Sequence, residues 1–319
     1  MSILIEYIMM GEYMSSLEEM ISQKSTSIVL DNYDEESLPE AMGTADFVVK
    51  LSIRKGSLRN LNNLPPNLVR LKLVCQNLAI IGDLPHTIKH INLTGNSLTT
   101  LPEFHEGLES LKVNDNKLNT LPDKLPSTLK TLLLADNLLK SFNVNCSVET
   151  LDISNNCIDS IDKLPDTIKK LVIDNNSIDT IKTLPKELVE FSAYNSDIQS
   201  IECAFPESLK KLDLFKNKLQ EIQDLHDGIV EIDLMSNSLT RAPKFSENAK
   251  QVDLRDNKNI DLSDVTELIA NIRKNNGEVF FDDKEEERGF SFPNLSQLLG
   301  STQRATPKQY INLKNTYTI

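Results

Sequence analysis

The chain has 319 residues, a formal net charge of −13 and a sequence pI near 4.9, a balance that argues against bulk attraction to nucleic acid or to an anionic membrane surface. Its 39% hydrophobic content is enough for a substantial core, while aromatic residues make up only 5%. The four cysteines, Cys75, Cys146, Cys157 and Cys203, are scattered without zinc-site spacing and read as reduced thiols of a cytosolic protein.

From the N-terminus, Ile3 to Met10 is apolar but is broken by Glu6 and follows no basic residue, so it reads neither as a signal peptide nor as a membrane span. With Ser15 to Ile21 behind it, the segment is expected to cover the exposed edge of the first repeat turn. Ser16 and Glu19 have capping-box spacing, and Leu17, Met20 and Ile21 share a helical face. Ile28 and Leu30 suit one degenerate strand, and residues 1–50 are assigned to an N-terminal cap.

Residues 51–260 repeat one phrase eleven times, opening at Leu51, Leu71, Ile91, Leu111, Leu132, Leu151, Leu171, Phe191, Leu212, Ile232 and Val252, with a period of 20 residues and slips to 19 or 21. Apolar residues two apart, such as Leu171 and Ile173, share one face of a short strand, so each turn contributes one strand to a parallel sheet. Asn recurs at one phase as Asn96, Asn116, Asn137, Asn156, Asn176, Asn217, Asn237 and Asn257. There the backbone must leave the strand and turn inward, and an amide can satisfy peptide groups that would otherwise be buried unpaired. Ser196 partly imitates it; Gln76 and Gly56 are weaker substitutes, so the first repeats are expected to deviate.

The other half of each turn carries Leu-Pro, at Leu64-Pro65, Leu84-Pro85, Leu101-Pro102, Leu125-Pro126, Leu164-Pro165 and Leu184-Pro185, with Phe205-Pro206 and Ala242-Pro243 as variants. Proline stops a helix, and the turn is too short to hold one, so the convex side is predicted to be extended or single-turn 3₁₀ structure. The expected fold is an α/β solenoid, mostly β: a horseshoe with one parallel strand per 20-residue turn.

Residues 261–282 read as a C-terminal cap. Asp264 and Glu267 have capping-box spacing ahead of a helix bearing Val265, Leu268, Ile269 and Ile272; Asn275-Asn276-Gly277 ends it, and Val279-Phe280-Phe281 suits a last strand. Residues 283–319, polar after a charged run, read as a tail.

The unit Leu-Pro-x-x-Leu-x-x-Leu-x-Leu-x-x-Asn-x-Leu-x-x-Leu, nearly intact from Leu164 to Ile181, resembles the short leucine-rich repeats of bacterial effectors and of proteins from large DNA viruses of protists. The resemblance implies the leucine-rich-repeat fold and recognition of another macromolecule, and nothing finer, since one repeat fold hosts many roles. Effectors of this kind that act as ubiquitin ligases carry a helical domain with a nucleophilic Cys after the repeats. Here the last cysteine, Cys203, lies inside them, so that activity is not expected.

Function is therefore sought on the concave face. The column just after each opening residue includes Lys72, Lys112, Leu133, Val172, Asp213, Asp233 and Asp253, changing from basic to acidic along the chain. Lys50, Arg54, Arg70 and His90 reinforce the basic end. Two positions further on, Tyr194, Phe215 and Met235 fall in successive turns and form a candidate apolar stripe. The sequence thus predicts a non-catalytic scaffold for a protein partner with a basic surface, in a cytoplasm or a virion, without nucleic acid, membrane insertion, cofactor or metal. The alternative is an assembly component docking through caps and tail. His86, His90, His105 and His226 lack metal spacing and read as solvated turn residues.

Overall fold

The computed structural model describes residues 13–141, 144–161 and 163–282. Helix α1 (Tyr13–Ser22) precedes strand β1 (Ser27–Tyr33), a single helical turn α2 (Glu40–Gly43), β2 (Lys50–Gly56) and β3 (Arg70–Val74). Three-residue strands follow, one per turn: β4 (His90–Asn92), β5 (Ser110–Lys112), β6 (Thr131–Leu133), β7 (Thr150–Asp152) and β8 (Lys170–Val172). Next come β9 (Thr180–Ile181), β10 (Glu190–Ser192), β11 (Ser200–Ile201), β12 (Lys211–Asp213), β13 (Glu231–Asp233) and β14 (Gln251–Asp253), then helix α3 (Thr266–Lys274) and β15 (Glu278–Phe280).

All strands except β9 and β11 form one 13-stranded parallel sheet in chain order. The register joins every opening position to the next, from Leu51↔Leu71 through Phe191↔Leu212 to Ile232↔Val252. The sheet continues past both ends of the regular repeats, because Ile28 pairs with Leu51 and Val279 with Val252. The opening residue and the one two places on are buried in every turn, as with Leu171 and Ile173, giving one filament of core. On the convex side no helix lies among the described residues between α2 and the 3₁₀ turn at Ser263–Val265, and β9 and β11 pair as a small second sheet.

The proline phase differs from the sequence expectation. Pro65, Pro85, Pro126, Pro165, Pro185 and Pro206 each accept a hydrogen bond from the N–H three residues on, closing the tight turn that returns the chain to the sheet. Pro102 and Pro243 stand nine residues ahead of their opening residues, whereas Pro85 stands six ahead of its own. They are not part of this series. In the turn after Pro243 the carbonyl of Ser246 does the work, accepting from Ala249 N–H at 3.1 Å; the carbonyl of His226 accepts from Ile229 in the same way.

The asparagines stitch each turn to the one before. The Asn156 amide donates to the Leu134 and Ile153 carbonyls at 3.0 Å each, and its oxygen accepts from the Leu139 N–H at 3.0 Å. Asn176 repeats the pattern on Ile153, Ile173 and Ile158. Ser196 reaches the Ile173 carbonyl at 2.9 Å. Gln76 reaches Val74 and Ile53 at 2.9 and 3.4 Å but leaves its buried oxygen unpaired. Gly56 is dictated sterically, since a Cβ there would lie 2.2 Å from the Tyr33 carbonyl oxygen and 2.7 Å from Gln76 Oε1.

Immediately before each ladder position the backbone is left-handed, an order not anticipated from the repeat. The column runs Asn32, Lys55, Cys75, Gly95, Asp115, Asp136, Asn155, Asn175, Asn195, Lys216, Ser236 and Asp256, with φ between 50° and 72°. Gly, Asn and Asp occupy most of it because they tolerate this region best. A third row stands four residues ahead of the opening position: the hydroxyls of Thr87, Thr128, Thr167 and Ser208 donate to the carbonyls of Leu68, Leu108, Val148 and Leu188 in the preceding turn.

Both ends differ in detail from expectation. The stretch Ile3 to Met10 and the tail 283–319 lie outside the described residues. Helix α1 already includes Ser16, so Ser16 does not open it; Leu17 is fully buried, with Met20 and Ile21 packed against the core. Asp264 lies within the 3₁₀ turn and makes no cap for α3; Asp261 instead accepts from the Ser263 N–H at 2.9 Å. Asn276 is left-handed, and the Gly277 N–H reaches back to the Ile272 carbonyl at 2.9 Å, ending α3. A Cβ on Gly277 would lie 2.3 Å from the Ala249 carbonyl oxygen, so this position also admits only glycine.

Asn156→Ala or Asn176→Ala should lower stability by about 1–3 kcal/mol, because buried peptide groups lose their partners, while Asn119→Ala on the exposed surface should leave urea midpoints unchanged; equal midpoints for all three would remove the ladder argument. Lys216→Gly should raise stability by about 0.5–1 kcal/mol by relieving left-handed strain net of the entropy of glycine. Lys140→Gly, which relieves no left-handed φ, should lower stability.

Candidate binding surface

The concave face presents the residues that alternate with the buried openings. Tyr194, Phe215 and Met235, which follow β10, β12 and β13, are half-buried on it. Main-chain bonds join their turns: Asn195 N–H donates to the Phe215 carbonyl and Lys216 N–H to the Met235 carbonyl, both at 2.9 Å. The rings of Tyr194 and Phe215 stack with centroids 5.1 Å apart and planes 19° from parallel. Asp174 supports the first ring from the neighbouring turn, accepting from the Tyr194 N–H at 2.8 Å and the Ser192 hydroxyl at 2.6 Å.

The aspartates flanking this stripe have a structural duty that the sequence reading missed. Asp213 accepts from the Phe215 N–H at 3.1 Å and Asp233 from the Met235 N–H at 3.1 Å, so each carboxylate ties down the backbone of a stripe residue. Asn92 and Asp152 do the same for Thr94 and Ser154 at 3.0 Å. The recurrence of a short acceptor two residues ahead of an N–H that leaves the strand was the signal available in the sequence. Asp213 and Asp233 lie in register on neighbouring strands and remain half-buried at the open face.

Asp253 does not join them as a steering charge. It is fully buried, and Arg255 holds both of its oxygens, with Nε at 2.9 and 3.2 Å and the guanidinium NH2 closing the pair. That guanidinium also lies 5.1 Å from the Phe280 ring centroid. The acidic column therefore ends in a covered ion pair, because the neighbouring strand β15 brings an aromatic ring over it. Leu133 and Val172 are half-buried in the same column but stand on β6 and β8, separated by Asp152 on β7, so they form no patch together. Lys72 and Lys112 lie at the opposite end, with Asn92 between them.

On the flank much of the polar chemistry is already engaged. A groove of about 240 Å³ on the flank is lined by Thr128, Lys130, Ser147, Glu149, Thr167 and Lys169 among others. Thr128 and Thr167 are committed to main-chain carbonyls, and Lys169 pairs with Glu149 at 3.1 Å. All four cysteines are free. Burial pushes the Cys146 thiol up to about 11 and raises that of Cys203, which leaves both poor nucleophiles. Among the described residues no cluster of three metal-ligating side chains exists and no helix is long and apolar enough to cross a membrane.

Similar architecture is found in solved structures. YopM from Yersinia enterocolitica WA-314 superposes with a TM-score of 0.54 at 24% identity, over 76% of this chain and 62% of that one. This is the leucine-rich-repeat fold. YopM from Yersinia pestis, described as a leucine-rich effector, gives 0.55 at 22% identity over 74% and 85% of the two chains. A leucine-rich-repeat protein from Bacteroides eggerthii gives 0.58 at 15% identity over 78% and 49%. The solenoid thus spans about three fifths of the Yersinia enterocolitica chain and half of the Bacteroides one. No protein-family model matches the sequence, and no curated protein matches it.

Asp213→Asn and Asp233→Asn keep an acceptor for the backbone and should leave urea midpoints unchanged, whereas alanine at either position should cost about 0.5–1.5 kcal/mol. Asp253→Ala strands Arg255 against a buried site and should cost about 3 kcal/mol or more. Equal costs for alanine at the three positions would mean that Asp253 is not a covered ion pair.

Proposed function

We propose that this protein is a non-catalytic recognition scaffold of a cytoplasm that holds a basic segment of a protein partner on the C-terminal half of its concave face. One observation carries the reading: the stacked Tyr194–Phe215 pair, continued by Met235, lies half-buried on an open sheet face beside Asp213 and Asp233. An aromatic and thioether stripe removes apolar area from water when covered, and carboxylates at its border favour lysine or arginine over acidic residues. The general role agrees with structural neighbours found in protein assemblies, the leucine-rich-repeat part of FLRT2 with latrophilin 3 and Unc5D, and the LRIM1/APL1C complex.

Capture from lysate with the intact protein and with a Tyr194/Phe215/Met235 triple alanine variant tests this reading, followed by kinetics on the captured partner. Truncating the stripe should speed dissociation by a penalty of about 2 kcal/mol or more. The Asp213→Asn/Asp233→Asn pair, which keeps the backbone tied, should instead slow association about threefold or more, an effect blunted by salt. A partner that binds both variants like the parent protein would overturn the concave-face reading and favour docking through the ends of the solenoid.

A further inference from the structure

The basic residues of the concave face divide into two groups. Lys170 pairs with Glu190 and Lys211 with Glu231 at 3.0 Å, Arg255 pairs with Asp253, and Arg54 pairs with Asp31 at 2.8 Å. Lys50, Arg70, Lys72 and Lys112 have no carboxylate at ion-pair distance among the described residues. Register places Lys50 beside Arg70 and Arg70 beside His90, while Lys72 and Lys112 flank Asn92 in the next column. Burial first, and then the Arg70 charge, holds the His90 imidazole below its ordinary range; Glu109 opposes this and Lys89 adds to it. On a chain of net charge −13, four cations without counter-charges on neighbouring strands have an electrostatic cost that a bound anion would relieve.

We infer that the concave face of β2–β5 is a second binding subsite, one that takes a short acidic segment of a protein in extended conformation. Three strand spacings cover about 14 Å, the length of about four extended residues. Past the β5 strand the potential reverses: Asp152 stands on β7 and Asp136 follows β6, and burial, then the charges of Asp115 in the turn that leaves β5 and of Asp152, holds the Asp136 carboxyl above its ordinary range. A continuous polyanion such as a nucleic acid strand would run into these carboxylates, whereas a short run of Asp or Glu ends before them. The subsite is separated from the Tyr194–Phe215 stripe by about four strand spacings, near 19 Å, so it stands or falls independently of that surface.

The test is fluorescence anisotropy of the full chain with a labelled peptide of four glutamates flanked by glycines, at about 0.02 M ionic strength, beside a labelled oligothymidylate. The peptide should bind, and the Arg70→Glu/Lys72→Glu variant should weaken it about tenfold or more. Two controls should change affinity less than about twofold: Lys117→Glu/Lys140→Glu, which alters net charge equally on exposed loops, and Tyr194→Ala/Phe215→Ala. Thermal melts confirm that each variant is folded. The inference is overturned by absence of peptide binding, by equal weakening in the loop control, or by oligothymidylate binding more tightly than the peptide.

Discussion

A solenoid turn of this length must drive its backbone from the strand into the core, and the peptide groups buried there find no partner in the sheet. The asparagine ladder resolves that conflict. Each amide donates to two carbonyls of its own turn and one of the preceding turn, while its oxygen accepts an N–H from the preceding turn. Since an unpaired buried peptide group costs more than a hydrogen bond ordinarily gains, the ladder fixes where each turn sits on its neighbour. The left-handed residue before it supplies the change of direction that aims the amide inward.

The rest of the architecture follows from that constraint. Turns held at one phase keep the openings Leu51 to Val252 in register, and register makes the concave side chains into columns. The Thr and Ser hydroxyls on the ascending flank tie the same turns together a second time. Substituted rungs show the tolerance of the scheme: Ser196 replaces the amide with a shorter donor, whereas Gln76 leaves an oxygen unpaired and stands against a glycine that has no room for a Cβ.

The same logic blurs the line between support and recognition on the concave face. Asp213 and Asp233 hold the backbone of Phe215 and Met235 while presenting charge beside them, and Asp174 does this for Tyr194. In the column one residue ahead of each opening, charges that alternate from Lys170 to Glu231 become, once neighbours pair, local cancellations at Lys170–Glu190 and Lys211–Glu231, with an uncancelled basic end at β2–β5. What remains for a partner is the difference between the column and its internal pairs.

The sequence by itself determined the repeat, the parallel sheet, the asparagine ladder and the extended convex side, without helices among the described residues of the repeats, because each depends on residues a fixed distance apart and so leaves a periodic trace. The columns holding Tyr194, Phe215 and Met235 were legible for the same reason. Only the tertiary structure decided the fate of Asp253, whose charge is covered because β15 brings Phe280 over Arg255 from outside the period. It also decided what the prolines do: the sequence already sets Pro102 and Pro243 nine residues ahead of their openings instead of six, but only the closing hydrogen bonds reveal that the other six prolines accept the N–H that returns the chain to the sheet. Residues that recur at a fixed spacing leave a trace in the sequence even where their bonds join two turns; contacts at the ends of the solenoid, where the period stops, depend on which surfaces meet.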